Sequence, residues 1–116
     1  MVELDESRLA YLDLTGANLE EAMFTAIDLH RATLDKASIR NAFLQGANLE
    51  YASLDDADLT NADLDFADLY RASLRGCNLT NANLYSIYAR EAIFIQTRMQ
   101  GVNLYVSAQQ TTPPRG

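Results

Sequence analysis

The chain has 116 residues, which fits one domain, and its apolar content of 48% argues against disorder. A net charge of −7 disfavours direct nucleic-acid binding, because basic side chains must neutralise phosphates. No apolar run approaches the ~18 residues of a membrane span, and the N-terminus lacks the basic and apolar regions of a signal peptide. We therefore expect a cytoplasmic protein that does not contact a membrane.

The dominant feature is a five-residue period that runs from residue 2 to residue 106. Its clearest stretch lies between Ala57 and Leu69, where a small residue is followed two positions later by Leu. We call the recurrent large residue the centre. Centres occur at every fifth position from Leu4 to Leu104 without a change of phase. From Ala32 to Ala82 the small position is Ala throughout, except for Cys77.

Neither a helix nor a straight strand can use this period. Five residues at ~100° each would spread the centres around every side of a helix. On a strand, a five-residue step alternates between the two faces. Side chains two residues apart on a short extended segment do point the same way, so the three-residue step that follows must contain a corner. Gly16, Gly46, Gly76 and Gly101 occupy the last place of a pentapeptide, where a corner can require a positive φ.

Stretches such as A-N-L-E-Y at 47–51 and A-N-L-Y-S at 82–86 resemble the pentapeptide-repeat family. The resemblance implies an all-β fold, a right-handed quadrilateral β-helix with four pentapeptides in each coil. We expect about five coils within residues 1–106 and a flexible tail at 107–116. Coils spaced about 4.8 Å apart would stack equivalent side chains into columns.

The first repeats depart from the pattern, as the ends of solenoids do. Their small positions hold Val2, Ser7 and Leu12. We expect this degenerate coil to cover the open core. At the other end, the small position enlarges to Ile87 while the next centre shrinks to Ala89, which predicts a compensating exchange of volume.

An apolar cluster is predicted near the C-terminal end, at positions that face solvent in the other repeats. Such a cluster needs cover. The tail could provide it, or the cluster could form a homodimer or another protein interface. The candidate interface residues are Tyr85, Tyr88, Ile93, Ile95, Tyr105 and Val106.

The second candidate surface is acidic. Gyrase-protecting members of the family are DNA mimics, so the resemblance raises an alternative function as a DNA gyrase-binding protein of the quinolone-protection type. On a four-sided coil, however, the acids would form a belt and not a stripe along the axis. Solvated repeat side chains are the simpler interpretation. The candidate acidic residues are Asp55, Asp56, Asp58, Asp63, Asp65 and Asp68.

No catalytic constellation is predicted, and no cofactor or metal is expected. His30 is the only histidine and is expected on the surface, while Cys77 falls at a buried small position, where thiols are inert. One column should hold Tyr11, Arg31, Tyr51, Arg71 and Glu91, with cation–π contacts between its Arg and Tyr side chains. The sequence therefore predicts a non-enzymatic, rigid protein-interaction scaffold whose partner is unknown.

Overall fold

The computed structural model describes residues 9–106. The predicted small positions at Val2 and Ser7 and the predicted flexible tail at 107–116 lie outside the described residues. Within residues 9–106 the backbone consists of short extended segments and turns, without a helix. No helical segment of this part of the chain has the length and apolar character that a membrane span needs.

Each pentapeptide contains one extended step and one tight corner. In a typical corner the N–H of Ala17 donates to the C=O of Leu14 over 3.0 Å, and Gly16 between them has φ of 71°. A positive φ at the third residue of the turn is the signature of a type II turn. The prediction for the four glycines is confirmed, but fifteen non-glycine residues of the described range 9–106 adopt the same region. The fold holds those residues in a conformation that costs roughly 1 kcal/mol or more each.

Neighbouring coils pair in parallel with a register of twenty residues. Asp58 pairs with Ser38 on one side and Asn78 on the other. The N–H of Leu59 donates to the C=O of Asn78 over 2.7 Å, and the N–H of Asn78 donates to the C=O of Ala57 over 2.9 Å. Twenty residues correspond to four pentapeptides in a coil, which confirms the predicted quadrilateral. The right hand and the total of about five coils stay predictions.

The four sides of the coil follow one another along the chain. The first side contains residues 12–16, the second 17–21, the third 22–26 and the fourth 27–31. The pentapeptide twenty residues farther along the chain belongs to the same side. The only continuous strands among the described residues lie on the third side. They are β1 (Asn83–Tyr85) and β2 (Asn103–Tyr105), which pair in parallel.

The core is a stack of centres separated by small residues. From Leu29 to Leu84 every centre is buried, and so is every small position from Ala32 to Ala82. This confirms the inward assignment of both positions. The core is narrow because Ala fills the space beside each Leu.

The two ends of the described rod differ. Near the N-terminal end Leu9 and Phe24 are buried, the centres Leu14 and Leu19 are half-buried, and Leu12 has 40% of its surface exposed. In the last coil the centres Ala89, Phe94 and Met99 are only half-buried, and Leu104 is 52% exposed. The core is therefore open at its C-terminal end within residues 9–106.

Candidate interaction surfaces

The open end of the core contains an apolar pit of about 290 Å³. Ile87 and Ala89 lie on the fourth side, and the predicted exchange of volume between them does not fill the space. Ile87 is fully buried, yet its side chain and Ala89 line the same pit. The missing volume is that of a Leu side chain at position 89, because Ala occupies a centre there. The lining residues are Ile87, Ala89, Phe94, Met99, Leu104 and Val106.

An aromatic ladder runs beside this pit along the third side. The rings of Tyr85 and Tyr105 stack with centroids 5.1 Å apart, and Phe66 meets Tyr85 edge to face at 6.4 Å. All three rings are among the exposed large side chains. The sequence pattern did not single out Phe66, although Phe66 and Tyr85 lie in neighbouring coils of the third side, which was the available signal.

The six candidate interface residues do not share one patch. Tyr85, Tyr105 and Val106 belong to the third side, Tyr88 to the fourth, and Ile93 and Ile95 to the first. Tyr88 and Ile93 are half-buried, whereas the other four are exposed. The apolar residues therefore surround the open end and do not cover a single face.

The six candidate acidic residues are distributed over all four sides. Asp55 and Asp56 belong to the first side, Asp58 to the second, Asp63 and Asp65 to the third, and Asp68 to the fourth. Above and below, Asp58 meets Ser38 and Asn78, Asp63 meets Phe43 and Asn83, and Asp68 meets Asn48 and Tyr88. The acids surround the middle of the rod, and uncharged residues interrupt these columns along its axis.

Several of these carboxylates are engaged within the protein. Oδ1 of Asp55 accepts hydrogen bonds from Ser73 Oγ and from the N–H of Arg75. Burial opposes a lowered pKa for Asp58, but the hydroxyl and N–H of Thr60 and the guanidinium of Arg40 outweigh it and lower that pKa. Arg40 lies 3.3 Å from the Asp58 carboxylate. These contacts stabilise the stacked coils whether or not the surface binds anything.

The predicted Tyr and Arg column forms only in part. The Arg31 guanidinium lies 4.4 Å from the centre of the Tyr51 ring, as expected for a cation–π contact. Arg71 lies farther from that ring, at 5.9 Å, because its Nε donates to Glu91 over 3.0 Å. Arg71 also approaches the Tyr70 ring at 5.6 Å. The column therefore contains two cations, Arg31 and Arg71, and one anion, Glu91, which are paired with neighbours within the chain.

Comparison with known proteins identifies the family. The sequence model described as pentapeptide repeats matches eight copies, within residues 3–41, 13–50, 27–65 and 67–104. The chain belongs to the pentapeptide-repeat family. No curated protein matches it.

Solved structures of other pentapeptide-repeat proteins are similar to this chain. HetL, which is involved in heterocyst differentiation regulation in the cyanobacterium Nostoc sp. strain PCC 7120, is 30% identical over 72% of this chain, with a TM-score of 0.59. A protein of the Arabidopsis thaliana thylakoid lumen is 32% identical over 85% of the chain, with a TM-score of 0.57. The matches span 39% and 62% of those two proteins.

The fold is also shared with a more distant protein. QnrB1, a plasmid-mediated fluoroquinolone resistance protein, is 11% identical over 85% of the chain and 65% of its own length, with a TM-score of 0.54. At this identity the likeness extends to the fold alone.

This pentapeptide-repeat protein brings no reactive side chains together among its described residues. His30 Nδ1 lies 2.7 Å from Asp28 Oδ1, and the His30 ring meets Tyr11 edge to face at 5.0 Å. His30 is thus a partly exposed, paired residue. Burial, with a smaller effect of Asp58, raises the pKa of the Cys77 thiol to about 12, so the thiol is unreactive at neutral pH. Residues 9–106 hold no group of His, Cys, Asp and Glu suited to a metal ion.

Proposed function

We propose that this protein is a non-enzymatic interaction scaffold that associates with a second copy of itself through its C-terminal end. The observation that carries the proposal is the apolar pit in the last coil, bordered by the exposed Leu104 and Val106. Removing apolar surface from water gains about 25 cal/mol of free energy for each Å², so covering this open core would stabilise an assembly.

The difference between the two described ends favours a contact of like with like. Near the N-terminal end the centres Leu14 and Leu19 are half-buried, but Leu9 and Phe24 are buried, whereas no centre after Leu84 is buried at the C-terminal end of the described residues. Two C-terminal ends related by a two-fold axis would each cover the open apolar core of the other. Such an isologous contact closes after two copies and does not produce filaments.

Known relatives are consistent with a role in interaction. Pentapeptide-repeat proteins are generally structural or interaction proteins, and HetL is involved in regulation. The interrupted acid columns do not provide the continuous stripe that a DNA mimic needs, so we do not extend the function of QnrB1 to this chain.

The mass in solution tests the proposal. We expect light scattering of the eluting protein to give twice the 12.9 kDa of one chain. Leu104→Glu should give the monomer mass, because a carboxylate would be buried at the contact, whereas Lys36→Glu on an exposed corner should leave the dimer intact. If the wild-type protein is still monomeric at about 100 μM, which is about 100 times a micromolar Kd, the proposal is overturned.

A further inference from the structure

The third side of the rod carries most of the exposed large apolar side chains. Eleven large hydrophobic residues of residues 9–106 are exposed, and seven of them belong to this one side. None of the other sides has a comparable series. The seven residues are Met23, Phe43, Phe66, Tyr85, Leu104, Tyr105 and Val106.

The N-terminal half of this series is separate from the open end of the core. Met23 and Phe43 pair in neighbouring coils, with 82% and 43% of their surfaces exposed. The corner beside them is formed by Ala26 and Gly46, both small and exposed. The side chains of Met23 and Phe43 are therefore accessible to a partner protein.

An acidic centre lies between the two halves of the series. Asp63 and Asp65 are the only charged residues among the described pentapeptides of the third side, which contain no Lys or Arg. The Asp63 carboxylate accepts hydrogen bonds from Gln45 Nε2 over 2.9 Å and Asn83 Nδ2 over 3.1 Å. In contrast, Oδ1 of Asp65 is buried and has no hydrogen-bond partner among the described residues.

The corner between the fourth and first sides shows how the molecule treats aromatic residues elsewhere. There Tyr51 is contacted by Arg31, and Arg71 pairs with Glu91, so rings and charges are matched within the chain. Within residues 9–106, the pentapeptides of the third side supply no Lys or Arg to pair with these rings and carboxylates. Interfaces commonly place an aromatic or Arg anchor at their centre, surrounded by contacts that exclude water.

We propose that the third side, at Met23, Phe43, Phe66, Asp63 and Asp65, binds a partner protein through one Lys or Arg flanked by apolar side chains. The basic group would lie beside the half-buried side chains of Asp63 and Asp65, and the apolar groups would cover Met23 and Phe43 on one side and Phe66 on the other. Complementary charge would orient the partner and exclude acidic surfaces. The inference rests on the proposed scaffold function, but it concerns a different surface from the C-terminal contact.

The probes are two blocked pentapeptides. In each, Trp occupies both ends and a Leu lies on either side of the central residue. One has Arg at the centre and the other has Glu. We expect NMR titration with the Arg peptide to shift the Met23 methyl and Phe43 amide signals, with a Kd at least about tenfold lower than that of the Glu peptide. Equal Kd values, or no shift of those signals at about 5 mM peptide, would overturn the inference.

Matched variants locate the binding. The double substitution Asp63→Asn and Asp65→Asn should make the two peptides bind equally, and Phe43→Ser should abolish the shifts while the remaining spectrum stays folded. Leu104→Glu should retain peptide binding, which separates this surface from the dimer contact. Binding that survives Phe43→Ser would contradict the inference. Shifts of Met23 and Phe43 on dilution without peptide would also do so, because the occupant would then be a second copy.

Discussion

The middle coils and the last coil are built from the same repeat but have different surroundings. Leu64 and Leu104 are both centres of the third side, two coils apart, yet Leu64 is fully buried and Leu104 is 52% exposed. The corner that precedes each of them has the same conformation, since Asn61 and Gly101 both have positive φ. A solenoid repeat therefore gains most of its stability from its neighbours and little from its own contacts.

The reactivity of cysteine should show this difference most strongly. Cys77 is fully buried in the fourth coil, and its raised pKa of about 12 keeps the thiol neutral. We expect labelling by a thiol reagent at pH 8 to be at least about 10³-fold slower for Cys77 than for a free thiol, because labelling requires unfolding. In the variant Cys77→Ala with Leu104→Cys, labelling should approach the free rate once the protein is diluted to the monomer. Similar rates at both positions would show that the middle coils open readily.

The same pKa predicts how stability depends on pH. A thiol whose pKa is raised in the folded state contributes stability below its ordinary pKa of 9.0, and the contribution disappears as pH rises towards about 12. The urea midpoint should therefore fall above pH 9 in the wild-type protein. Cys77→Ala should show a smaller fall over the same range.

Deletion of a centre should cost far more in the middle than at the end. Leu64→Ala should lower the free energy of unfolding by about 2–5 kcal/mol, since it leaves a cavity in a packed layer. Leu104→Ala should cost less than about 1 kcal/mol in the monomer, because half of that side chain already contacts water. Urea unfolding measures both, and equal costs would mean that the last coil is covered in solution.

Enlargement should have opposite consequences in the two regions. Ala62→Leu should overpack a layer in which Ala62 is fully buried, at a cost of about 1–3 kcal/mol. Ala89→Leu should be neutral or stabilising, because the pit beside Ala89 has room for the larger side chain. Unfolding midpoints compare the two variants directly. A large loss for Ala89→Leu would show that the pit is already occupied.

The sequence predicted the interior well because one rule governs every repeat. A centre and a small residue two positions before it must both point inward, and this fixed the burial of Leu64, Ala62 and Cys77. The register of twenty residues followed from the resemblance to a known family. The positive φ of residues such as Tyr51 did not follow from residue type, because only the stacked ladder imposes that conformation on a side chain that disfavours it.

Surface patches were harder to predict because they depend on columns that join residues twenty apart. Phe43 and Phe66 are unremarkable in the linear sequence and become neighbours of Met23 and Tyr85 only when the coils stack. Arg71 lies near both Tyr51 and Glu91, and the sequence could not predict that the contact with Glu91 would be the shorter one. The pit beside Ala89 depended on the absence of a following coil among the described residues.

A smaller effect is expected where charged and aromatic side chains meet on the surface. A double-mutant cycle of Arg31→Ala and Tyr51→Ala should give a coupling of about 0.5–1 kcal/mol from their contact at 4.4 Å. The Arg71 and Glu91 pair, which connects to the last coil, is exposed and should give a coupling of less than about 1 kcal/mol. High salt should reduce the second coupling more than the first. A coupling near zero for Arg31 and Tyr51 would mean that the ladder is not maintained in solution.

We expect the protein to have no effect on DNA gyrase, because of the arrangement of acidic residues in the middle coils. Asp58, Asp63 and Asp68 lie on three different sides, and each is flanked along its column by uncharged residues. Duplex DNA instead presents one phosphate charge for each ~1.7 Å of helix axis. We expect supercoiling by gyrase to be unchanged at a large excess of this protein, with and without a quinolone. Inhibition or drug protection near equimolar amounts would show that an interrupted belt of carboxylates can substitute for regular phosphate charge. The same measurement on Asp63→Asn with Asp65→Asn would then decide whether the third side contributes to gyrase binding.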